Sequence, residues 1–226
     1  MVCLTCNFGD YDTVDGKRFN IRTIVIIDES NYLTQKIQSP LVEFRLWNIP
    51  GIHGNQLRSR YVKSILLCRL TLELNEAVLY HDFNIEIKRD FFFKKGLSLK
   101  VHPFSSSLKD EFLQCGLSGK LRIRDLQYYK KYMLCNKVYE CNVIGLNEPN
   151  IEIQSLMEEW FKCFMFGIKR DQLHFSLLVE GIQVNDLPFF ALRADNDLVK
   201  YESHDSNLRL KRKLRRKFWK FMSKLI

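Results

Sequence analysis

The sequence predicts an α+β fold: a mostly antiparallel β-sheet scaffold, one packed helix at about residues 151–166, and a basic amphipathic C-terminal helix. Three observations predict it. At least six stretches alternate apolar and polar residues, the pattern of strands with one solvated face, whereas a parallel sheet calls for continuous apolar strands between amphipathic helices. One internal segment carries apolar residues at three- and four-residue steps between an Asn and a Gly. The last twenty residues repeat that helical period and hold nine basic residues and no acid.

In chain order, residues 1–16 show no periodicity and read as a leading arm. The α+β domain then runs over 17–200. Phe19 and Ile21 alternate with Arg18, Asn20 and Arg22 before the buried-looking run Ile24, Val25, Ile26, Ile27. Val42, Phe44 and Leu46 alternate with Glu43 and Arg45, and Pro50-Gly51 closes that stretch. Leu66, Cys68, Leu70, Leu72 and Leu74 fall on one face with Leu67, Arg69, Thr71 and Glu73 on the other, the clearest strand pattern in the chain. Phe83-Ile85-Ile87 and Leu97-Leu99-Val101 predict two strands of a hairpin, with Gly96 in its turn. Leu121-Ile123 and Leu173-Phe175-Leu177 predict two more.

Helical signals are fewer. Asn150 is placed to cap a helix in which Ile153, Leu156, Met157, Trp160, Phe161 and Phe164 share a face, and Gly167 to end it. Asn55–Leu67 and Ser107–Gln114 each predict a helical turn or two.

The charge is distributed unevenly. Of 35 basic residues, nine lie in the last twenty: Arg209, Lys211, Arg212, Lys213, Arg215, Arg216, Lys217, Lys220 and Lys224. Without them 26 basic residues face 26 acidic ones, so the body is formally neutral and the +9 belongs to the helix at 207–226. Leu210, Leu214, Phe218, Phe221, Met222 and Leu225 form its apolar stripe, with Trp219 at the boundary. Three uses suit such a helix: an anionic membrane surface, nuclear import or nucleic-acid phosphate binding, and a partner groove of the calmodulin sort with Leu214, Phe218 and Phe221 as anchors. The nine basic residues with Phe218, Trp219 and Phe221 are its candidate contacts. Packing of the stripe on the domain itself is the alternative.

Other constellations fall short of a site. Seven cysteines, an odd number at irregular spacing with no secretory signal, predict free thiols in a reducing compartment. No stretch is long and apolar enough to span a bilayer. The expected location is therefore intracellular: host cytoplasm, nucleus or inner membrane surface, neither secreted nor transmembrane. Cys3-x-x-Cys6 lacks a second ligand pair at zinc spacing. Asp10-x-Asp12-x-x-Asp15-Gly16 misplaces the glycine of a calcium loop and has Ile21 where its bidentate Glu belongs. Glu86-Ile87-Lys88 after Asp82 has the residue types of a metal-dependent nuclease core, but the spacing is too short, and the polar face of a strand accounts for them. No phosphate loop, dinucleotide fingerprint or nucleophile elbow is present. No cofactor, metal or small-molecule substrate is indicated.

Two stretches carry a resemblance. Asp82-Phe83-Asn84-Ile85-Glu86-Ile87 running into Leu97-Ser98-Leu99-Lys100-Val101, and Cys163-Phe164-Met165-Phe166-Gly167-Ile168, resemble segments of rhabdovirus matrix proteins, of negative-strand RNA viruses. The N-terminus is acidic and the basic element C-terminal, the reverse of a matrix protein, so the resemblance implies a small accessory protein. The expected function is a non-enzymatic viral accessory or matrix-like protein that binds a host or viral protein through its β-rich scaffold. Its basic helix serves membrane, nuclear-import or nucleic-acid interaction. Two alternatives remain: an RNA-binding or movement-type protein, and an enzyme with dispersed carboxylates, which would show a concave pocket with convergent polar groups.

Overall fold

The first residues of the chain occupy the middle of the sheet. In the computed structural model, which describes residues 1–9, 19–34, 39–105, 107–132, 137–167, 170–189, 194–201 and 217–221, Val2–Asn7 form β1, every residue of it buried. Residues 2–7 of the expected leading arm 1–16 thus form a central strand, and residues 10–16 lie outside the described residues. Thr23–Ile27 form β2, Glu29–Thr34 α1 and Val42–Leu46 β3. Asn55–Tyr61 form α2, which continues through a π-helical turn at Val62–Leu66 into α3, Leu67–Leu74. Then come β4 (Val78–His81), β5 (Ile85–Ile87), β6 (Gly96–Leu99) and α4 (Leu108–Leu117). A 3-10 stretch at Ile123–Tyr132, β7 (Val143–Asn147), α5 (Ile151–Phe166), α6 (Asp171–Leu178), β8 (Val184–Asp186) and β9 (Val199–Tyr201) complete the order.

Seven strands make one sheet in the order β3-β2-β1-β4-β7-β6-β8, and β5 pairs with β9 in a small antiparallel sheet. The β1–β2, β2–β3, β1–β4 and β6–β8 pairs are parallel, while β7 runs against both β4 and β6. The fold is therefore α/β with a mostly parallel sheet, which corrects the expected antiparallel α+β scaffold with one packed helix. The physical reason is burial on both faces. The strands β1, β2 and β4 are buried at every position, so the alternation of a one-sided strand does not apply to them.

Two elements expected as strands are helices. Leu67, Cys68, Leu70 and Thr71 are the buried residues of α3, a helical face, and Leu72, which continues the alternation, is 50% exposed. The stretch around Phe175 is α6. Ile123 opens the 3-10 stretch rather than lying in a strand. The expected hairpin does not form either, since β5 pairs with β9 and β6 with β7 and β8.

The helix α5 matches its sequence pattern. The Asn150 side chain accepts a hydrogen bond from the Ile153 N–H, Gly167 ends the helix, and all six stripe residues are buried. Its stripe packs with the π-helical segment and α3 on the face carrying Val2, Leu4 and Cys6 of β1 and Val78 and Tyr80 of β4. The opposite face, with Cys3, Leu79 and Val143, is covered by β5, β9 and Phe189. A third cluster joins α4 to Leu173 of α6 and to Trp219.

Candidate functional site at the sheet switch point

The chain leaves β1 toward β2 and β3 on one side, then crosses to β4 on the other, so the order reverses between β1 and β4. Ligands of open α/β sheets bind outside the carboxyl ends of the strands at such a reversal. Three devices shape this place.

The first is the clamp on the end of β1. Asp28, directly after β2, accepts from the Gly9 N–H at 2.7 Å, and the Asn31 amide donates to the Gly9 carbonyl at 2.7 Å and the Asn7 carbonyl at 3.2 Å. Burial would raise the Asp28 carboxyl, but its hydrogen bonds from Gly9, Ser30 and Asn31 hold it below the ordinary value. Gly9 has φ +69° and its missing Cβ would sit 2.4 Å from Asn55 Nδ2, so a side chain here would be strained and would displace Asn55. Asn55 in turn donates to the Phe8 carbonyl at 3.1 Å, tying α2 to β1.

The second is a buried ionic network. A π turn is wider than an α turn and recurs at functional sites; here it buries Val62, Lys63 and Ser64 in succession. The Lys63 side chain is 0% exposed, with Nζ 3.0 Å from Asp82 Oδ1 and 2.9 Å from Asp171 Oδ2. Asp82 follows β4, and the Tyr80 hydroxyl donates to its Oδ1 at 2.9 Å. Asp171 opens α6 and also pairs with Arg60 of α2 at 2.8 Å. Burial alone would lower the Lys63 ammonium, yet Asp82 and Asp171 raise it above its usual value. Burial alone would raise Asp171, yet Arg60, Lys63 and Arg170 hold it well below the carboxylate range. Burial and the neighbouring Asp82 push the Tyr80 hydroxyl well up. The Trp160 indole donates to the Asp171 carbonyl at 3.3 Å, fixing α6 against α5.

The third is a cleft of about 290 Å³ lined by His53, Gly54, Asn55, Gln56, Leu57, Arg60 and Phe164. Arg60 belongs to both cleft and network. Its guanidinium lies 5.2 Å from the centre of the Phe164 ring, and its Nε is buried with no hydrogen-bond partner among the described residues. Of the four network residues Asp82 reaches solvent most, at 36% side-chain exposure, and both its side-chain contacts fall on Oδ1. The arrangement can hold an anionic group on Arg60, and it presents a carboxylate braced from behind by a buried cation.

Of the residues expected to form a site, the structure describes Lys217, Phe218, Trp219, Lys220 and Phe221. Trp219 is fully buried, its ring 5.5 Å from Phe112, and Phe218 is half-buried in the same cluster. Trp219 therefore anchors residues 217–221 to the domain. Lys217, Lys220 and Phe221 are exposed. Arg209, Lys211, Arg212, Lys213, Arg215, Arg216 and Lys224 lie outside the described residues, as do Asp10, Asp12, Asp15 and Gly16. Cys3 and Cys6, three apart on a strand, point to opposite faces and join different cores. Glu86 accepts from Asn20 at 3.2 Å and Lys88 pairs with Asp195 at 2.8 Å, the polar surface of the small sheet. Among the described residues no three His, Cys, Asp or Glu side chains are grouped to hold a metal ion, and no helix is long and apolar enough to cross a membrane.

No protein-family model matches the chain, and no curated protein matches it. The resemblance to rhabdovirus matrix segments stands on its two stretches alone. They fall on Asp82 with β5, on β6, and on the end of α5.

Lys63, Asp171 and Arg60 were not visible as a site in the sequence. The one local signal is Lys63 itself, a lone lysine between Tyr61-Val62 and Ile65-Leu66-Leu67. Its partner Asp171 is 108 residues away.

Proposed function

We propose that the chain is an enzyme of the dispersed-carboxylate kind, which binds a phosphate-bearing, nucleotide-type substrate at the carboxyl ends of β1 and β4. The observation that carries this reading is the Arg60–Asp171–Lys63–Asp82 network, set at the reversal of strand order and opening through Arg60 onto the cleft. The β3-β2-β1 arrangement with β4 beyond it is the order of a mononucleotide-binding half, a fold-level analogy. The side chains supply the chemistry.

The sequence has no glycine-rich phosphate loop, so the anion falls to side chains. Arg60 offers a planar donor set suited to phosphate. Asp82, anchored through Oδ1, is the residue placed to hold a divalent cation jointly with substrate phosphates, the way Mg²⁺ is held by one or two carboxylates plus phosphate oxygens. Lys63 cannot reach a ligand, being fully buried; it is a positioning residue that fixes the Asp82 carboxylate. Phe164 lies beneath the Arg60 guanidinium, and this cation–π contact favours that orientation of the side chain.

The test is thermal unfolding of the full chain with nucleoside diphosphates, each with Mg²⁺ or Mn²⁺ and with chelator. A ligand at about a hundred times its Kd stabilises by about 2.7 kcal/mol, a midpoint rise of about 5–10 °C for a chain of this size. The rise is expected only with the cation and is expected to vanish in Asp82→Asn, which keeps the side-chain volume. If no nucleotide moves the midpoint with either cation, the reading is wrong.

A further inference from the structure

The described C-terminal turn, residues 217–221, is fixed to the body by one side and offers the other to solvent. Trp219 is buried where a Cβ on Gly116 would lie 2.2 Å from the indole, so α4 leaves a gap the size of that ring. Phe218 packs half-buried beside it. On the other side Phe221 is 61% exposed, and Lys217, four residues earlier and thus on the same side of the turn, is exposed too. The sequence around this turn continues the same chemistry, with nine basic residues and no acid over 207–226.

We infer that this turn docks the protein on an anionic lipid membrane. Phe221 enters the headgroup–acyl boundary, and Lys217 faces lipid phosphate. Charge complementarity selects an anionic partner, because residues 207–226 carry nine basic side chains and no acid. The exposed ring selects a bilayer over a phosphate backbone. An apolar side chain gains by leaving water for the acyl boundary, whereas affinity for a nucleic-acid backbone comes chiefly from cations on phosphate. Apolar insertion and cationic attraction together are the two signals that lasting peripheral attachment takes. Trp219 lowers the ordering cost, since the turn is already formed on the domain before it meets a surface.

The experiment is co-sedimentation of the full chain with vesicles of phosphatidylcholine alone and of phosphatidylcholine with roughly one phosphatidylserine in three. Binding to the anionic vesicles and none to the neutral ones is expected. Phe221→Ser, an exposed change that leaves the melting temperature intact, is expected to weaken binding roughly tenfold, and Lys217→Gln several-fold. Asp82→Asn is expected to bind vesicles like the wild type, which separates this surface from the cleft reading. Equal binding to neutral vesicles, or a Phe221→Ser variant that binds as the parent does, overturns the inference. So does a chain that ignores both vesicles and binds single-stranded RNA, which assigns the turn to nucleic acid.

Discussion

Replacing Asp171 by Asn removes one carboxylate from the buried network while keeping its shape. Lys63, which no water reaches, then retains Asp82 at 3.0 Å but loses its partner at 2.9 Å, and Arg60 loses its contact at 2.8 Å. The backbone carbonyl that accepts from Trp160 is untouched. Removing one partner of a buried ion pair costs about 3–5 kcal/mol because a charge is left behind without compensation. Since Asp82 still serves Lys63, the lower end applies, about 3 kcal/mol, or a fall in melting temperature of about 6–12 °C. Differential scanning calorimetry at neutral pH reads this directly.

Two controls make the reasoning specific. Lys63→Met in the Asp171→Asn background removes the stranded ammonium, so the double variant should be more stable than the sum of the two single changes predicts, by about 1 kcal/mol or more. The pH dependence carries a sign. A carboxyl held below its unfolded value near 3.9 contributes stability that is present above that pH and lost as pH falls through the folded value. The advantage of the wild type over Asp171→Asn should therefore shrink as pH drops below about 4. A variant melting within about 1 °C of the wild type, or strictly additive single changes, would refute the claim that the network is energetically coupled.

Two further predictions concern the core. Burial pushes the Cys3 and Cys115 thiols up to about 12 and the Cys6 thiol up to about 11, so the stability they contribute is complete below the ordinary thiol value and is lost as pH rises toward those figures. In the native chain at pH 8 these three should resist alkylation while half-buried Cys163 reacts, as peptide mass mapping can show. Gly116→Ala places a methyl 2.2 Å from the Trp219 ring and should cost about 1–3 kcal/mol. Displacement of the indole should also shift its fluorescence to the red.

The helix α5 was legible because its signals are local and agree: a capping Asn150, six apolar residues at helical spacing, and Gly167 at the end. The strands β2 and β3 and the three residues of β5 were legible for the same reason, being short runs of β-branched and aromatic residues. The parallel sheet was not. In β1, Thr5 and Asn7 are buried along with four apolar neighbours, so the central strand shows neither alternation nor an unbroken apolar run. Over residues 66–74, Leu66, Leu70, Leu72 and Leu74 satisfy a strand period while Leu67, Leu70, Thr71 and Leu74 satisfy a helical one, and the sequence holds no feature that decides between them. The site was hidden by distance. Its cation sits in a helix, one carboxylate at a strand end and the other at a helix start; the crossing from β3 to β4 brings Asp82, and the packing of α6 on α5 brings Asp171, within 3.0 Å of Lys63.

The five-residue segment at Val62–Leu66 interrupts the α-helical phase between α2 and α3. Deleting one residue there would restore a uniform helix and rotate everything beyond the cut by about 100° relative to α2. A cut after Lys63 would leave Arg60 and Lys63 in place on Asp171, but the buried face of α3 would turn from the sheet. The length of this segment is consequently fixed by a phase relation between two helices, so a single-codon loss in it would do more damage than most exchanges of one side chain for another.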